Sequence, residues 1–179
     1  DKIIFGIVSY GIRTFKVRRI FDVLTGLVVA IAVIVADQLS KYYILYHFLG
    51  LNSYIRFGDY FNVVRAWNTG VSFSMFNNYG NIGAYILSAI EITVVVALFI
   101  WLKSEKDKVI QIALGMIMGG AIGNVIDRLR SGAVFDFLDI HIGDSHWPAF
   151  NIADSFICIG AGLIILMSVI AKFKNKKVK

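Results

Sequence analysis

The sequence predicts an integral membrane protein, mainly α-helical, with four transmembrane helices and a small antiparallel β-sheet subdomain on the outer face of the membrane. Hydrophobic residues make up 58% of the 179 residues and charged residues only 17%. Soluble domains contain roughly 45–50% apolar residues, so a soluble globular protein is excluded. The second observation is a series of four long apolar runs separated by polar connections, in a chain whose length suits one domain.

The two clearest spans are 82–102, with Glu91 as its one charged residue, and 109–126, with none. Each approaches the roughly 20 residues that cross a hydrocarbon layer about 30 Å thick. The other two runs, 23–36 and 156–171, become long enough only when they include a polar flank. The predicted transmembrane helices are therefore about 20–41, 82–102, 109–128 and 152–171. The polar flanks of the first and fourth helices then lie within the spans, at the edge of the bilayer.

The first apolar run has a second interpretation. A basic segment followed by an apolar stretch and Ala30-Ile31-Ala32 has the order of a secretory signal peptide with its cleavage site. Three further spans make a retained first helix the simpler prediction. We treat 1–19 as a basic N-terminal extension and assign it no function.

The distribution of basic residues predicts the orientation. Thirteen of the eighteen Lys and Arg residues lie in three segments, 1–19, 103–108 and 172–179. Basic residues near span ends favour the cytoplasmic side. Four spans place these three segments on the same side, so both termini are predicted to be cytoplasmic. The connections 42–81 and 129–151 then face outward.

The first outer connection carries strand signals. Residues 55–75 are rich in β-branched and aromatic side chains, and 71–75 alternate apolar residues with serine after the turn signal Asn68-Thr69-Gly70. We therefore predict a small antiparallel sheet lying on the membrane. In the second connection, Pro148 favours an extended Trp147, and Trp147 and Phe150 are predicted interfacial anchors.

The predicted orientation gathers acidic residues at one side of the membrane. Seven aspartates map there: Asp37, Asp59, Asp127, Asp136, Asp139, Asp144 and Asp154. An ionisable side chain at membrane depth is costly unless it is paired, which makes it a functional or structural candidate. Asp37 and Lys41 are four residues apart and can form an ion pair, for which a local structural role is the alternative.

Another polar group lies at the end of the third span. Asn124, Asp127 and Arg128 follow a row of glycines at 115, 119 and 123, which predicts a packing surface for a neighbouring helix. Asn124 and Arg128 can hold peptide carbonyl groups through their fixed donors, and we expect Asp127 to hold Arg128 in position.

Asp136 and Asp154 are both surrounded by apolar sequence. If the fold brings them together, burial and mutual repulsion leave one protonated while the other is ionised, as in aspartic proteases. Such a pair can activate water and protonate a leaving amine. The spacing does not force this pairing. The alternatives are a helix N-cap role for Asp154 and a solvated loop position for Asp136.

Other chemistries have weaker support in the sequence. Asp139, His141, Asp144 and His146 are close together, but their spacing matches no metal motif. Cys158 is the single cysteine, which excludes a disulfide framework. The basic residues form separate clusters rather than one stripe, so no nucleic-acid partner is expected.

Five motifs, taken together and in order, resemble those of lipoprotein signal peptidases. They are Asp37-Gln38-Leu39-Ser40-Lys41, Asn68-Thr69-Gly70-Val71-Ser72-Phe73, the segment 119–128 ending in Asn124-Val125-Ile126-Asp127-Arg128, Val134-Phe135-Asp136-Phe137, and Phe150-Asn151-Ile152-Ala153-Asp154-Ser155. The resemblance covers roughly residues 20–172. It leaves the N-terminal segment and the basic tail unassigned.

The resemblance implies an aspartic endopeptidase of the bacterial inner membrane, with its active site near the outer, periplasmic leaflet. Such an enzyme removes signal peptides from diacylglyceryl-modified prolipoproteins just before the lipidated cysteine. By the motifs, Asp136 and Asp154 are catalytic. The implied substrate-binding residues are Asn68, Gly70, Asn124, Arg128 and Asn151, and Asp37, Lys41 and Asp127 give structural support. No metal or cofactor is expected. The expected partners are the prolipoprotein, membrane lipids and globomycin-type inhibitors, and the enzyme is expected to be a monomer.

Two alternatives remain at this point. A small proton-coupled transporter is suggested by Glu91 in the middle of its span, although carrier sites lie near the midplane and the aspartates gather at one leaflet. A non-catalytic membrane scaffold would leave the apolar surroundings of Asp136 and Asp154 unexplained.

Overall fold

The computed structural model describes the backbone of residues 2–70 and 82–176, and the side chains of residues 23–70 and 82–174. Strand signals predicted at 71–75 lie outside these residues. The elements in chain order are α1 (Lys2–Tyr43) with a π-helical turn (Ile44–Phe48), β1 (Tyr54–Arg56), β2 (Phe61–Asn68), α2 (Ile82–Leu102), α3 (Lys108–Ser131), β3 (Val134–Ile142), β4 (Ser145–His146) and α4 (Ile152–Lys176).

Four helices in the described part of the chain are long and apolar enough to cross a membrane. The candidate spans are Val23–Phe48, Ile82–Leu102, Lys108–Ser131 and Ile152–Lys174. The four predicted spans are therefore confirmed as helices. Each of the three later helices begins within one residue of its predicted start, and the included polar residues Asp37, Lys41 and Asp154 do belong to α1 and α4.

Helix α3 is the centre of the bundle and packs against α1, α2 and α4. The predicted glycine row lies against α1. A Cβ on Gly119 would lie 2.6 Å from the backbone oxygen of Ala30, and one on Gly123 would lie 2.7 Å from Asp37 Oδ2. Only glycine permits this approach, so the packing prediction is confirmed and Asp37 is placed directly against α3.

A second glycine contact fixes α4 against α3. A Cβ on Gly120 would lie 2.5 Å from the backbone oxygen of Ala153, in the first turn of α4. Further along α4, a Cβ on Gly160 would lie 2.7 Å from the backbone oxygen of Ala113. The two contacts bring the start of α4, which carries Asp154, close to the end of α3.

A four-stranded sheet in the order β1-β2-β3-β4 lies at the end of the bundle where α1 and α3 finish. Its neighbouring strands are antiparallel, as predicted. The strand β3 departs from our expectation, because we treated 129–151 as a loop. Residues 138–142 alternate apolar and polar side chains, which is a strand signal that our interpretation did not use.

The sheet is held by an apolar cluster that includes Leu49, Val63, Phe135 and Phe137, all buried. Beyond β3 the chain returns to the sheet at Phe150. The Leu138 amide donates to the Phe150 carbonyl at 2.9 Å, and the Phe150 amide donates to the Leu138 carbonyl at 3.0 Å. This pairing ties the residues just before α4 to the strand that carries Asp136.

Candidate active site

Asp136 is a buried strand residue, 2% exposed, rather than a solvated loop acid. Both of its carboxylate oxygens accept hydrogen bonds from amide side chains. Asn151 Nδ2 donates to Oδ1 at 2.7 Å, and Asn68 Nδ2 donates to Oδ2 at 3.0 Å. Asn68 ends β2, whose register places it beside Val134, so the sheet itself positions this donor.

Asp154 lies in the first turn of α4 and forms a reciprocal cap with Asn151. The Asp154 amide donates to Asn151 Oδ1 at 2.9 Å, and the Asn151 amide donates to Asp154 Oδ2 at 3.2 Å. This arrangement is a capping box, in which the N-cap residue is Asn151. The other Asp154 oxygen, Oδ1, accepts a bond from Asn124 Nδ2 at 2.8 Å. Asp154 is therefore not the N-cap that the sequence offered as an alternative, but the third residue of the helix, paired with the N-cap Asn151.

One residue, Asn151, connects the two carboxylates. Asn151 bonds Asp136 through its side chain and Asp154 through its backbone amide, and its Nδ2 also lies 3.2 Å from Asn124 Oδ1. The structure thus brings together residues from four separate segments of the sequence and joins them by hydrogen bonds: Asn68, Asn124, Asp136, and the pair Asn151 and Asp154.

The environment of Asp136 favours its protonated form. Burial raises its pKa from the ordinary 3.8 to about 6, and the nearby negative charge of Asp154 adds to the rise. The hydrogen bonds from Asn68 and Asn151 act in the opposite direction, because they stabilise the ionised form. The two carboxyl groups therefore interact electrostatically, as a shared-proton pair requires.

Behind this group lies a buried ion-pair cluster. Lys41 Nζ is 2.8 Å from Asp37 Oδ2 and 2.8 Å from Asp127 Oδ2, which confirms the predicted pair between Asp37 and Lys41. Lys41 Nζ also donates to Asn124 Oδ1 at 3.3 Å, and Asp37 Oδ1 accepts the Ala153 amide at 3.0 Å. The cluster holds Ala153, which precedes Asp154, and Asn124, which bonds it, and these contacts support a structural role for the cluster.

Asp127 and Arg128 do not form the arrangement that we expected. Asp127 contacts Lys41, Gln38 and the backbone amide of Phe135, whereas Arg128 Nη1 bonds both carboxylate oxygens of Glu91 at 2.7 and 2.8 Å. Successive residues on an α-helix point about 100° apart, so Asp127 is directed towards α1 while Arg128 is directed towards α2. Sequence reasoning missed Gln38 and Glu91 as partners.

Comparison with known proteins identifies the family. The family model described as "Signal peptidase (SPase) II" matches residues 29–170. The chain therefore belongs to the signal peptidase II family. The match begins within the first apolar run and includes the part of α1 that carries Asp37 and Lys41.

Relatives named "Lipoprotein signal peptidase" are similar over most of their length. The protein of Shewanella pealeana is 42% identical over 83% of this chain and 88% of its own. That of Nitrobacter hamburgensis is 43% identical over 80% of this chain and 89% of its own. The transporter alternative has no support from these relatives. The residue that suggested it, Glu91, is instead paired with Arg128.

Two solved structures of bacterial membrane enzymes, determined by the in meso method, have a similar fold. The first has a TM-score of 0.69 at 29% identity and covers 87% of this chain and 93% of its own. The second has a TM-score of 0.66 at 28% identity and covers 80% of this chain and 91% of its own. This chain therefore shares a membrane-embedded, multi-helix architecture with these two bacterial membrane enzymes.

Gly70 lies beside the group of polar residues in a conformation that favours glycine. Its φ is 78°, and its amide donates to Asn68 Oδ1 at 2.8 Å. A Cβ at this position would collide with Leu87 of α2 and lie 3.5 Å from Arg128 Nη2. Gly70 therefore orients Asn68 and allows the turn after β2 to pack closely against Leu87 of α2.

The histidine-rich stretch forms a separate cluster on the sheet. His146 Nδ1 lies 2.8 Å from Asp139 Oδ1, and the His141 and His146 rings stack with centroids 4.9 Å apart. Burial raises the pKa of Asp139, but its hydrogen bonds with Asn62 and His146 outweigh this and hold the pKa below the ordinary value. Among the described residues, no group of three or more His, Cys, Asp or Glu side chains is arranged to hold a metal ion.

Proposed function

We propose that this protein is an aspartic endopeptidase that cleaves the signal peptide from diacylglyceryl-modified prolipoproteins just before the lipidated cysteine. The observation that carries the proposal is the placement of Asp136 and Asp154 on either side of Asn151, which bonds both carboxylates. The family membership supports the peptidase activity, and the names of the relatives support the choice of substrate.

The proposed mechanism uses one proton shared between the two carboxyl groups. We assign this proton to Asp136, whose pKa burial raises to about 6, and the role of base to Asp154. Asp154 accepts a proton from water, whose oxygen attacks the scissile carbonyl carbon. Asp136 then protonates the leaving nitrogen as the C–N bond breaks. No step of this mechanism uses a metal or a cofactor.

The polar residues around the pair divide into two roles. Asn124 and Asn151 are buried and bonded to the carboxylates, so we assign them to holding the acids in position. Asn68 is exposed while bonded to Asp136, and Arg128 has donors without partners in the described part of the chain. We assign Asn68, Arg128 and the turn at Gly70 to contacts with the substrate backbone.

The proposed location is the bacterial inner membrane, with the active site near the outer, periplasmic leaflet and both termini in the cytoplasm. Asp37 and Asp154 lie in candidate spans, close to the end of the bundle where the sheet lies. A substrate anchored by an apolar signal helix and two acyl chains can reach such a site sideways from the lipid. In this orientation residues 42–81 and 129–151 lie outside, and residues 1–19 and 172–179 are cytoplasmic. We also propose that the enzyme is active as a monomer.

Labelling of single cysteines tests this orientation. In a Cys158→Ser background, an impermeant thiol reagent added from outside should label cysteines introduced at Asp59 and Asp144. It should not label one introduced at Ser104 in the connection between α2 and α3. Labelling of the Ser104 position from outside would reverse the orientation.

A cleavage assay tests the proposed activity. Purified protein in detergent is incubated with a diacylglyceryl-modified prolipoprotein, and the products are separated on a gel. Asp136→Asn and Asp154→Asn should each lower the rate by at least roughly 10²–10⁴-fold, because an amide can neither accept the proton of water nor donate to the leaving nitrogen in the same way. Globomycin should inhibit the wild-type protein.

Asp59→Asn is the matched control for the cleavage assay. Asp59 is exposed and pairs with Arg56 at the surface, so this change should preserve activity. Melting curves and membrane fractionation verify that each variant is folded and inserted. Near-normal turnover in a folded Asp136 or Asp154 variant would remove that residue from the catalytic pair, and no cleavage by the wild-type protein would contradict the function itself.

A further inference from the structure

Glu91 is the one charged residue of α2, and it lies near the middle of a candidate membrane span. Its carboxylate is bonded by Arg128 Nη1 at 2.7 and 2.8 Å, and the side chains of Arg128 and Glu91 are 9% and 25% exposed. A lone carboxylate at this depth would be costly, so the charge of Arg128 explains how α2 tolerates it. The pair also has a consequence for Arg128.

The contact with Glu91 uses only part of the guanidinium group. Arginine has five N–H donors, and both bonds to Glu91 come from Nη1. Arg128 Nε is fully buried without a hydrogen-bond partner among the described residues, and Nη2 has none there either. A buried donor without a partner is uncommon in folded proteins, so Nε, with the neighbouring Nη2, has the chemistry of a site for an acceptor oxygen.

The free edge of Arg128 faces the end of β2. Its Nη2 is 3.5 Å from the position that a Cβ of Gly70 would occupy. Gly70 is two residues beyond Asn68, which bonds Asp136 directly. A peptide backbone that lies along the end of β2 to reach Asp136 would therefore place a carbonyl oxygen close to Arg128.

We infer that Glu91 is a positioning residue, which holds Arg128 with Nε and Nη2 directed towards the substrate so that they donate to a peptide carbonyl oxygen. The inference rests on the proposed function and adds to it a residue that the five motifs do not contain. Glu91 acts only through Arg128. Glu91 fixes Nη1 of the long, flexible Arg128 side chain and leaves Nε and Nη2 available to the substrate.

The alternative is a purely structural pair that fastens α2 to α3. Removal of Glu91 would then lower thermal stability without changing how folded protein binds substrate. The positioning role instead predicts weaker binding, because a peptide carbonyl is held in the ground state and in the transition state alike. KM should rise while kcat changes little.

A double-mutant cycle separates these roles. The four proteins are the wild type, Glu91→Leu, Arg128→Met and the double variant, which replaces the whole ion pair by apolar side chains and so avoids an uncompensated buried charge. KM and kcat are measured with the diacylglyceryl-modified precursor, and melting temperatures are measured in parallel. Thr93→Val is the control on α2, because Thr93 is exposed and bonds only within its own helix.

We expect Glu91→Leu to raise KM about tenfold when Arg128 is present, which is the effect of losing one well-oriented hydrogen bond from a charged donor. In the Arg128→Met background, the same change should alter KM by less than about twofold. Glu91→Gln should rescue most of the loss, because its amide oxygen still accepts from Nη1. Thr93→Val should match the wild type.

Equal effects of Glu91→Leu in both backgrounds, or no change in KM when Arg128 is present, would overturn the inference. A second readout keeps it testable apart from cleavage. Binding of the lipid-modified precursor is measured in an Asp154→Asn background with the same four combinations, and the dissociation constant should follow the same pattern. Absence of cleavage by the wild type would contradict the proposed function. Dissociation constants that do not depend on Glu91 when Arg128 is present would contradict the positioning role of Glu91.

Discussion

The Asn151 side chain donates to Asp136 at 2.7 Å while its oxygen accepts the backbone amide of Asp154 at 2.9 Å. One residue therefore caps helix α4 and is bonded to both residues of the proposed pair. The cap orients the first turn of the helix, and the amide nitrogen orients the strand residue. The same bonds that stabilise the fold thus assemble the proposed catalytic pair.

Replacements of Asn151 should separate capping from catalytic support. Asn151→Ala removes the cap and the bond to Asp136, and loss of an N-cap costs about 1 kcal/mol. Asn151→Ser keeps a capping hydroxyl that is too short to reach Asp136 as well. We expect Asn151→Ser to recover most of the lost melting temperature, while cleavage stays roughly 10–100-fold below wild type in both variants.

The measurements for this comparison are thermal unfolding and the rate of precursor cleavage for each variant. Ser155→Ala serves as the control, because the Ser155 hydroxyl bonds only the Asn151 carbonyl in the described structure. Full activity in Asn151→Ser would show that the bond from Asn151 to Asp136 does not contribute to catalysis.

The pH profile should report the protonation of Asp136. Its pKa is raised to about 6, and the mechanism needs it protonated, so kcat/KM should fall as the pH rises above about 6. Asn68 stabilises the ionised form through its bond to Oδ2, so Asn68→Ala raises the pKa. The alkaline limb of the profile should therefore move to higher pH, even though the variant is less active.

Asp139→Asn is the control for the pH profile, because Asp139 bonds Asn62 and His146 rather than the proposed pair. Its alkaline limb should coincide with that of the wild type. A limb that stays fixed in Asn68→Ala, or that moves to lower pH, would show that the group titrating there is not Asp136.

Helical spans, glycine packing and the ion pair between Asp37 and Lys41 were predictable because each depends on local spacing. Residues four apart share a helix face, and an apolar run of about 20 residues leaves little choice of structure. The arrangement of the site could not be predicted from local spacing alone. The motifs named Asp136 and Asp154 by resemblance, whereas their spacing alone left the pairing open, because their approach depends on β3 and on the bridge between Leu138 and Phe150.

The wrong and missing predictions concern side-chain contacts between residues of different helices. Asp127 was assigned to Arg128 because they are neighbours in sequence, but the directions of their side chains are set by packing against α1 and α2. Gln38, which donates to Asp127 at 3.0 Å, belongs to a quoted motif but carried no predicted role. Such contacts depend on helix rotation within the bundle, which a single sequence does not specify.

Two glycines of α4 provide a matched test of helix packing. Gly160 faces α3, where an added Cβ would lie 2.7 Å from the Ala113 carbonyl oxygen, whereas Gly162 has nothing within 4 Å. Gly160→Ala should lower the melting temperature and reduce cleavage, because it moves α4 away from α3 and separates Asp154 from Asn124. Gly162→Ala should be neutral or stabilising, since alanine is favoured over glycine in helices by about 1 kcal/mol.

Thermal unfolding and cleavage rates of the two variants check this expectation. Their chemical change is identical and the positions are two residues apart, so the comparison removes any general effect of alanine on the helix. Equal losses in both variants would contradict the packing that the structure shows at Gly160.

The lipid on the substrate should contribute to turnover as well as to delivery. Asp154 lies at the start of the candidate span Ile152–Lys174, so the scissile bond has to come to the depth at which that helix begins. Acyl chains on the cysteine would tether the adjacent peptide bond there, at about 0.8 kcal/mol for each buried CH₂. Part of this binding energy can hold the peptide extended beside Asp136, which raises kcat and not only affinity.

We therefore expect the diacylglyceryl-modified precursor to be cleaved far faster than the same precursor with an unmodified cysteine, even at saturating concentration. The measurement is kcat for both substrates in one detergent, with Asp136→Asn as the blank for background proteolysis. Because saturation removes differences in delivery, a remaining gap in kcat measures the contribution of the lipid to positioning. Equal maximal rates would show that the acyl chains only bring the substrate to the enzyme, and that Asn68 and Arg128 align the peptide without them.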